Sequence, residues 1–186
     1  MPVSRRGFIA EVVWSSMGAS LVLLGGCRAR NALDDKGAPA PARFFTAAEL
    51  AALAAAAERI LPRDEDPGAV DLGVPEYIDR MLTDDVMRNW REPMRRGLEL
   101  LDEKARAKHG ASFAETTPDA QDEILAVVER ETRGPTGFFA RLSHLTLEGA
   151  FGDPAHGGNR DEAGWRLVGF RPDPCGPAGL AQLRRR

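Results

Sequence analysis

The sequence is poor in aromatic residues and in cysteine, and its charges nearly cancel. Aromatic residues make up 6% of its 186 residues, with a single Tyr. Such a composition disfavours a β-sandwich, because strands are enriched in aromatic and β-branched residues. Two cysteines cannot build a disulfide-rich scaffold. The 25 basic and 28 acidic residues give a net charge of -3, so we expect no nucleic-acid partner.

The N-terminal apolar stretch is too short to span a membrane. It covers residues 12–24, whereas a membrane-spanning helix needs roughly 20 residues. Ahead of it stands Ser4-Arg5-Arg6-Gly7-Phe8, a close match to the twin-arginine export pattern. We therefore interpret residues 1–27 as a twin-arginine signal peptide whose motif is Arg5, Arg6 and Phe8. This predicts an extracytoplasmic, periplasmic protein that uses the twin-arginine translocase.

The signal region ends in Leu24-Gly25-Gly26-Cys27, which resembles a bacterial lipobox. A lipidated Cys27 would anchor the chain, because acyl chains contribute about 0.8 kcal/mol per buried methylene. The alternative is ordinary cleavage elsewhere, for example at Ala38-Pro39-Ala40, with Cys27 as a small residue inside the signal peptide. We favour lipidation and attachment to the membrane. Residues 28–43 show no apolar periodicity and are predicted to form a flexible linker.

Residues 44–170 show helical periodicity and no strand-like alternation of useful length. Thr46 and Glu49 have the spacing of a capping box at the start of a first helix. Further helices are predicted to begin at about residues 74, 85, 118 and 138, where Gly, Pro or Thr interrupt the pattern. We therefore predict an all-α fold, a compact bundle of about five helices followed by a Gly-rich C-terminal loop segment.

The third predicted helix, from about Asp85 to His109, contains Pro93. Proline removes one backbone hydrogen bond of a helix, and its ring clashes with the preceding turn. We therefore expect a kink or a break near Arg91.

The segment 138–170 resembles the small-subunit family of the gluconate 2-dehydrogenase type, also called subunit 3 or the gamma subunit. The resemblance covers roughly residues 44–170, and residues 171–186 then form a Pro/Gly/Arg tail. One departure is His156, where an aromatic residue is common. The matching residues are Phe45-Thr46, Ile60-Leu61-Pro62, Pro67-Gly68, Leu145-Thr146-Leu147-Glu148-Gly149, Asp153-Pro154, Gly157-Gly158-Asn159-Arg160, Gly164-Trp165 and Gly169-Phe170.

The resemblance implies a non-catalytic subunit of a dehydrogenase complex. Members of this family accompany an FAD-containing large subunit of the glucose-methanol-choline type, and a cytochrome c subunit with haem c often completes the complex. The small subunit supplies the twin-arginine leader and takes the folded, flavin-loaded partner across the membrane. FAD and haem c are therefore expected in partner chains, and no cofactor is expected in this one.

Candidates for chemistry within the chain itself are few. It has no GxGxxG motif after a predicted strand and no CxxCH haem-attachment motif. His144 and Glu148 lie one helical turn apart, and Asp153, His156 and Asp161 follow, a set that could ligate a metal. The alternative function is thus a self-standing exported metal-binding lipoprotein or metal-dependent enzyme. A simple hydrogen bond on a helix face also explains the pair, and we favour the accessory subunit.

The partner interface is predicted in the last third of the chain. Aromatic residues beside glycine-rich backbone make good docking anchors. If Cys27 is lipidated, Cys175 is an odd cysteine in an oxidising compartment, which suggests a disulfide to another chain; a free exposed thiol is equally compatible. The predicted interface residues are Asp153, Gly157, Gly158, Asn159, Arg160, Trp165, Phe170 and Cys175.

Overall fold

A computed structural model describes residues 44–172, and over this range the chain is all-α. These residues form six α-helices and four short 3-10 turns, without a β-strand. The predicted fold class is therefore confirmed. The helices are α1 (Ala47–Ile60), α2 (Val74–Met81), α3 (Arg88–His109), α4 (Pro118–Glu131), α5 (Phe138–Phe151) and α6 (Ala163–Val168).

The described residues fall into two compact units, 44–163 and 164–172. The first unit, called the body below, contains α1 to α5. Helices α1 and α5 each contact the other four helices of the body, so they form its centre. The core is mainly aliphatic, and burial of each large side chain stabilises it by about 1.5–3 kcal/mol. Its fully buried members include Leu53, Ile78, Met94, Leu98, Leu101, Phe113, Leu142 and Leu145.

The start of α1 is determined by local sequence, as predicted. The Thr46 hydroxyl accepts a hydrogen bond from the Glu49 N–H at 3.2 Å, and the Glu49 carboxylate accepts one from the Thr46 N–H at 2.7 Å. Each side chain thus satisfies a backbone donor that the helix leaves unpaired. The capping box that the sequence predicts is confirmed.

Helix α3 is continuous through Arg91, so of the kink or break that Pro93 predicts, the break does not occur. Helix α3 runs through Pro93 to His109, and the irregular backbone lies upstream in a 3-10 turn, Asp85–Met87. Pro93 is the sixth residue of α3, so the carbonyl that loses its partner belongs to the first turn of the helix. Arg91 instead caps α2, donating from Nε to the Leu82 carbonyl at 2.7 Å.

The Gly-rich segment after α5 is more regular than a loop. It contains two 3-10 turns, Pro154–His156 and Arg160–Glu162, followed by α6. The chain turns just before α6 because Asn159, Asp161 and Glu162 adopt positive φ values of 45°, 56° and 58°. Among residues 44–172, no helix is both long enough and apolar enough to cross a membrane.

Candidate functional site

Three residues on which the resemblance depends, Gly149, Gly158 and Asn159, meet at the C-terminal end of α5. There the clamp loop, defined as residues 152–160, folds back onto the helix. A Cβ on Gly158 would lie 2.1 Å from the Gly149 oxygen and 2.9 Å from the Gly149 Cα. The Asn159 N–H donates to that same oxygen at 2.6 Å. The backbone at Gly158 therefore packs directly on the backbone at Gly149, and no residue larger than glycine fits at position 158 without a shift of these atoms.

Asn159 secures this contact from within the loop. It is fully buried and adopts a left-handed backbone, with φ 45° and ψ 48°. Asn is one of the few residues other than Gly that adopt this conformation readily. Its side-chain Nδ2 donates to the Gly152 carbonyl at 2.8 Å. The clamp loop is thus bonded to the last turn of α5 and to the residue that ends it.

Arg160 joins the clamp loop to the turn before α2. Its N–H donates to the Leu72 carbonyl at 3.1 Å, and Nη1 reaches the Asp71 carbonyl at 3.4 Å. Nη2 lies 3.9 Å from Glu76 Oε2 in α2. One residue therefore ties the loop after α5 to the segment that leads into α2.

A second close contact places Tyr77 of α2 against Gly149 of α5. A Cβ on Gly149 would lie 2.7 Å from Tyr77 Cδ1, so the missing side chain makes space for the ring. Tyr77 is buried, and its hydroxyl is hydrogen-bonded to Glu148. Burial and the neighbouring Glu148 carboxylate raise the pKa of Tyr77 far above its usual value. The phenol therefore remains a neutral hydrogen-bond donor.

His144 and Glu148 lie together, as their spacing on α5 predicts. His144 Nε2 is 3.8 Å from Glu148 Oε2, and both side chains are largely exposed. Structural zinc sites use four protein ligands and catalytic ones three. Between residues 44 and 172, no three His, Cys, Asp or Glu side chains are grouped so that they could hold a metal ion. Asp153, His156 and Asp161 do not join the pair, which is a contact across one helical turn next to the Tyr77 hydrogen bond.

The predicted interface residues of the clamp loop divide into inner and outer members. Gly158 and Asn159 are buried within the body, and sequence reasoning missed their architectural role. Gly157 has φ 91°, and a Cβ there would lie 2.3 Å from Arg80 Nη2. Asp153 is exposed and caps a 3-10 turn through Ala155. The signal that could have revealed the architecture is the Gly-Gly-Asn sequence, which combines minimal volume with a residue suited to positive φ.

The predicted aromatic anchors lie together in the second unit, residues 164–172. The rings of Trp165 and Phe170 have centroids 5.1 Å apart and are tilted by 59°. Gly169, with φ 69°, ends α6 and turns the chain so that the Phe170 N–H donates to the Trp165 carbonyl at 2.8 Å. Phe170 is 46% exposed. The pair has the form of a docking anchor, and its contact with a partner stays a prediction.

The remaining predicted functional residues lie outside the described part of the chain. These are the export motif, the lipidation site and the second cysteine, namely Arg5, Arg6, Phe8, Cys27 and Cys175. The signal peptide, the linker 28–43 and most of the tail lie there too, and their roles stay predictions.

Comparison with known proteins gives one family. The model of a family described as gluconate 2-dehydrogenase subunit 3 matches residues 47–172. The matched range includes all six helices and the entire clamp loop. No curated protein and no solved structure is significantly similar to the chain.

Proposed function

This chain belongs to the gluconate 2-dehydrogenase subunit 3 family, and we propose that it is the small, non-catalytic subunit of an exported FAD-dependent dehydrogenase complex. The flavin and the substrate pocket reside in a large subunit of the glucose-methanol-choline type. A cytochrome c subunit receives the electrons in complexes that contain one. The substrate of the partner is a sugar, a sugar acid or an alcohol.

The observation that supports this proposal is the family match across residues 47–172. The matched motif residues Gly149, Gly158 and Asn159 serve the packing of this subunit. The single-chain metal-site alternative has only His144 and Glu148 in place.

The subunit acts as an export escort in this proposal. Its twin-arginine leader serves both chains, because a flavin bound in the cytoplasm is retained only if the flavoprotein crosses the membrane folded. After export, a lipidated Cys27 holds the complex at the periplasmic membrane face. The linker 28–43 spans at most roughly 55 Å when fully extended. The aromatic pair of half-buried Trp165 and exposed Phe170, together with Cys175, contacts the large subunit in this proposal.

Replacement of both Arg5 and Arg6 by Lys tests the escort role. We expect the variant chain and the flavoprotein to remain in the cytoplasm. The matched control replaces Arg28 and Arg30 by Lys, which keeps the same charges and leaves the motif intact. Dehydrogenase activity is measured in cytoplasmic and periplasmic-face fractions. Flavoprotein activity that reaches the periplasmic face in the Arg5/Arg6 variant contradicts the escort role.

Cys27→Ser tests the anchor, and Cys175→Ser serves as its control and as a separate test. We expect Cys27→Ser to be unprocessed at that position or released from membranes by high salt. Mass spectrometry that finds an unmodified Cys27, or a mature N-terminus downstream of it, would contradict the proposed lipid anchor.

Cys175→Ser also tests the proposed disulfide to the large subunit. Non-reducing electrophoresis of the wild type should show a heterodimer band that this variant lacks. A wild type without such a band would contradict the disulfide and leave the rest of the proposal unaffected.

A further inference from the structure

The first residues of the body are bound to a buried carboxylate of α2. The N–H groups of Phe44 and Phe45 both donate to Asp79 Oδ1, at 2.9 and 2.8 Å. Asp79 is 3% exposed. A buried carboxyl group is costly unless it is hydrogen-bonded. The extended backbone at Phe44 and the interior of α2 therefore stabilise each other.

Arg95 of α3 holds Phe44 from the other side. Its Nη2 donates to the Phe44 carbonyl at 2.8 Å, and its guanidinium carbon lies 4.2 Å from the centre of the Phe44 ring. Glu49 of α1 orients this arginine, with Oε1 at 3.4 Å from Nε. The N–H, the carbonyl and the ring of a single residue are thus held by groups from α2 and α3, and α1 supports one of them.

We propose that Asp79 and Arg95 form a latch that fixes the end of the N-terminal tether on the body and protects the Arg43–Phe44 peptide bond from proteases that cleave after basic residues. Proteolysis at this bond requires Phe44 and the residues after it to leave their native contacts. Phe44 and Phe45 directly follow the bond, and both are bound by the latch. The benefit of protecting this bond rests on the proposed function, in which residues 1–43 attach the body to the membrane and cleavage would release it.

The tether offers its own internal reference for a test. Cleavage after Lys36 also releases the body and occurs seven residues earlier in the sequence, whereas we expect cleavage after Arg43 to require opening of the latch at Phe44. Purified full-length chain is treated briefly with trypsin, and the two products are quantified by mass spectrometry. The ratio of Arg43 to Lys36 cleavage reports latch opening, independently of any membrane or partner.

The deciding variant is Arg95→Met, with Arg96→Met as its matched control. Arg96 is adjacent, is exposed and pairs with Glu99 and Glu103 away from Phe44. Because cleavage follows the population of the open form, we expect Arg95→Met to raise the cleavage ratio about tenfold. Hydrogen exchange at the Phe44 and Phe45 amides should rise by a similar factor, while Arg96→Met changes neither quantity.

An unchanged cleavage ratio in a folded Arg95→Met variant overturns the latch. Asp79→Ala is the second variant, and it should raise the ratio more than Arg95→Met does. If Asp79→Ala fails to fold, the Arg95→Met result decides alone. Wild-type chain that resists cleavage after Arg43 but never reaches the membrane would contradict the proposed function and still support the latch. Failure of the latch hypothesis and failure of the proposed function therefore give different results.

Discussion

The clamp loop and the outer face of α4 are held to the rest of the body by opposite means. The clamp loop is fixed by backbone contact at Gly149 and Gly158, where no side chain fits. The outer face of α4 is attached by ion pairs in water, such as Arg59–Asp122 at 2.7 Å and Lys104–Glu131 at 2.8 Å. Exposed pairs contribute little and are easily replaced, whereas a contact without free volume tolerates almost no change. Residue identity is thus constrained most where the chain packs on itself.

The largest effect is expected from Gly158→Ala. The added Cβ would meet backbone atoms of Gly149, which cannot rotate away, so we expect a loss of at least about 3 kcal/mol in the free energy of unfolding. Gly110→Ala is the control, because its φ is 70° yet no atom lies within 4 Å, so only backbone strain of about 1–2 kcal/mol remains. Urea denaturation of both variants gives the difference. Gly158 is not among the glycines with positive φ, so its loss reports the close contact and not backbone strain. A Gly158→Ala loss no larger than that of Gly110→Ala would contradict the expected severity of this contact.

A smaller loss is expected from Asn159→Ala. This change removes the hydrogen bond to Gly152 and leaves a non-glycine residue at positive φ, at a cost of about 2–3 kcal/mol. Asn159→Gly loses the same bond but accepts the backbone conformation, so it should be more stable than Asn159→Ala. Thermal denaturation ranks the two variants. The reverse order would show that the left-handed backbone is not the reason for an Asn here.

Tyr77→Phe should cost about 1 kcal/mol, because it removes the hydroxyl that bonds to Glu148 while the ring still fills the Gly149 space. The raised pKa adds a pH dependence. The contribution is complete below pH of about 10, where an unfolded tyrosine ionises, and is lost as the pH rises through the higher folded value. Tyr77 is the single Tyr of the chain, so ultraviolet titration of tyrosinate reports it alone. Ionisation of the folded protein near pH 10 would contradict its burial.

The smallest effect is expected on the charged face, for Arg59→Met combined with Asp122→Asn. The pair is bidentate, with a second contact at 2.8 Å, yet it lies near the surface. A double-mutant cycle should give a coupling energy of less than about 1 kcal/mol that decreases with added salt. A coupling energy as large as the Gly158→Ala loss would contradict the view that the ion pairs of α4 contribute less to stability than the backbone contact of the clamp loop.

Local sequence was sufficient for most of the helices, because their start signals act within a few residues. The Thr46 capping box and the Thr117 cap with Pro118 at the first helical position both lie where the sequence places them. The break expected near Pro93 is absent because the effect of a proline depends on its distance from the helix start. That start lies further along the chain than predicted.

Contacts that depend on the tertiary fold could not be read from the sequence. Gly149 and Gly158 are both visible as glycines, but only the fold shows that they face each other. Asp79 looks like a surface residue of an amphipathic helix, and its burial depends on backbone donors at Phe44 and Phe45. The Asp79 bonds join residues 35 and 34 positions apart in the chain, and no local pattern encodes such a pairing.

The central claim is that this chain is the small subunit of a flavoprotein dehydrogenase complex. It is tested most directly by purifying the affinity-tagged chain from membranes of cells that express its neighbouring genes. We expect a yellow complex with a flavin absorption spectrum, dehydrogenase activity and a large subunit without a signal peptide of its own. Trp165→Ala should weaken this association while the helical content of the isolated chain is retained. A chain that purifies alone and without flavin, although a flavoprotein is present in the same cells, would contradict the account.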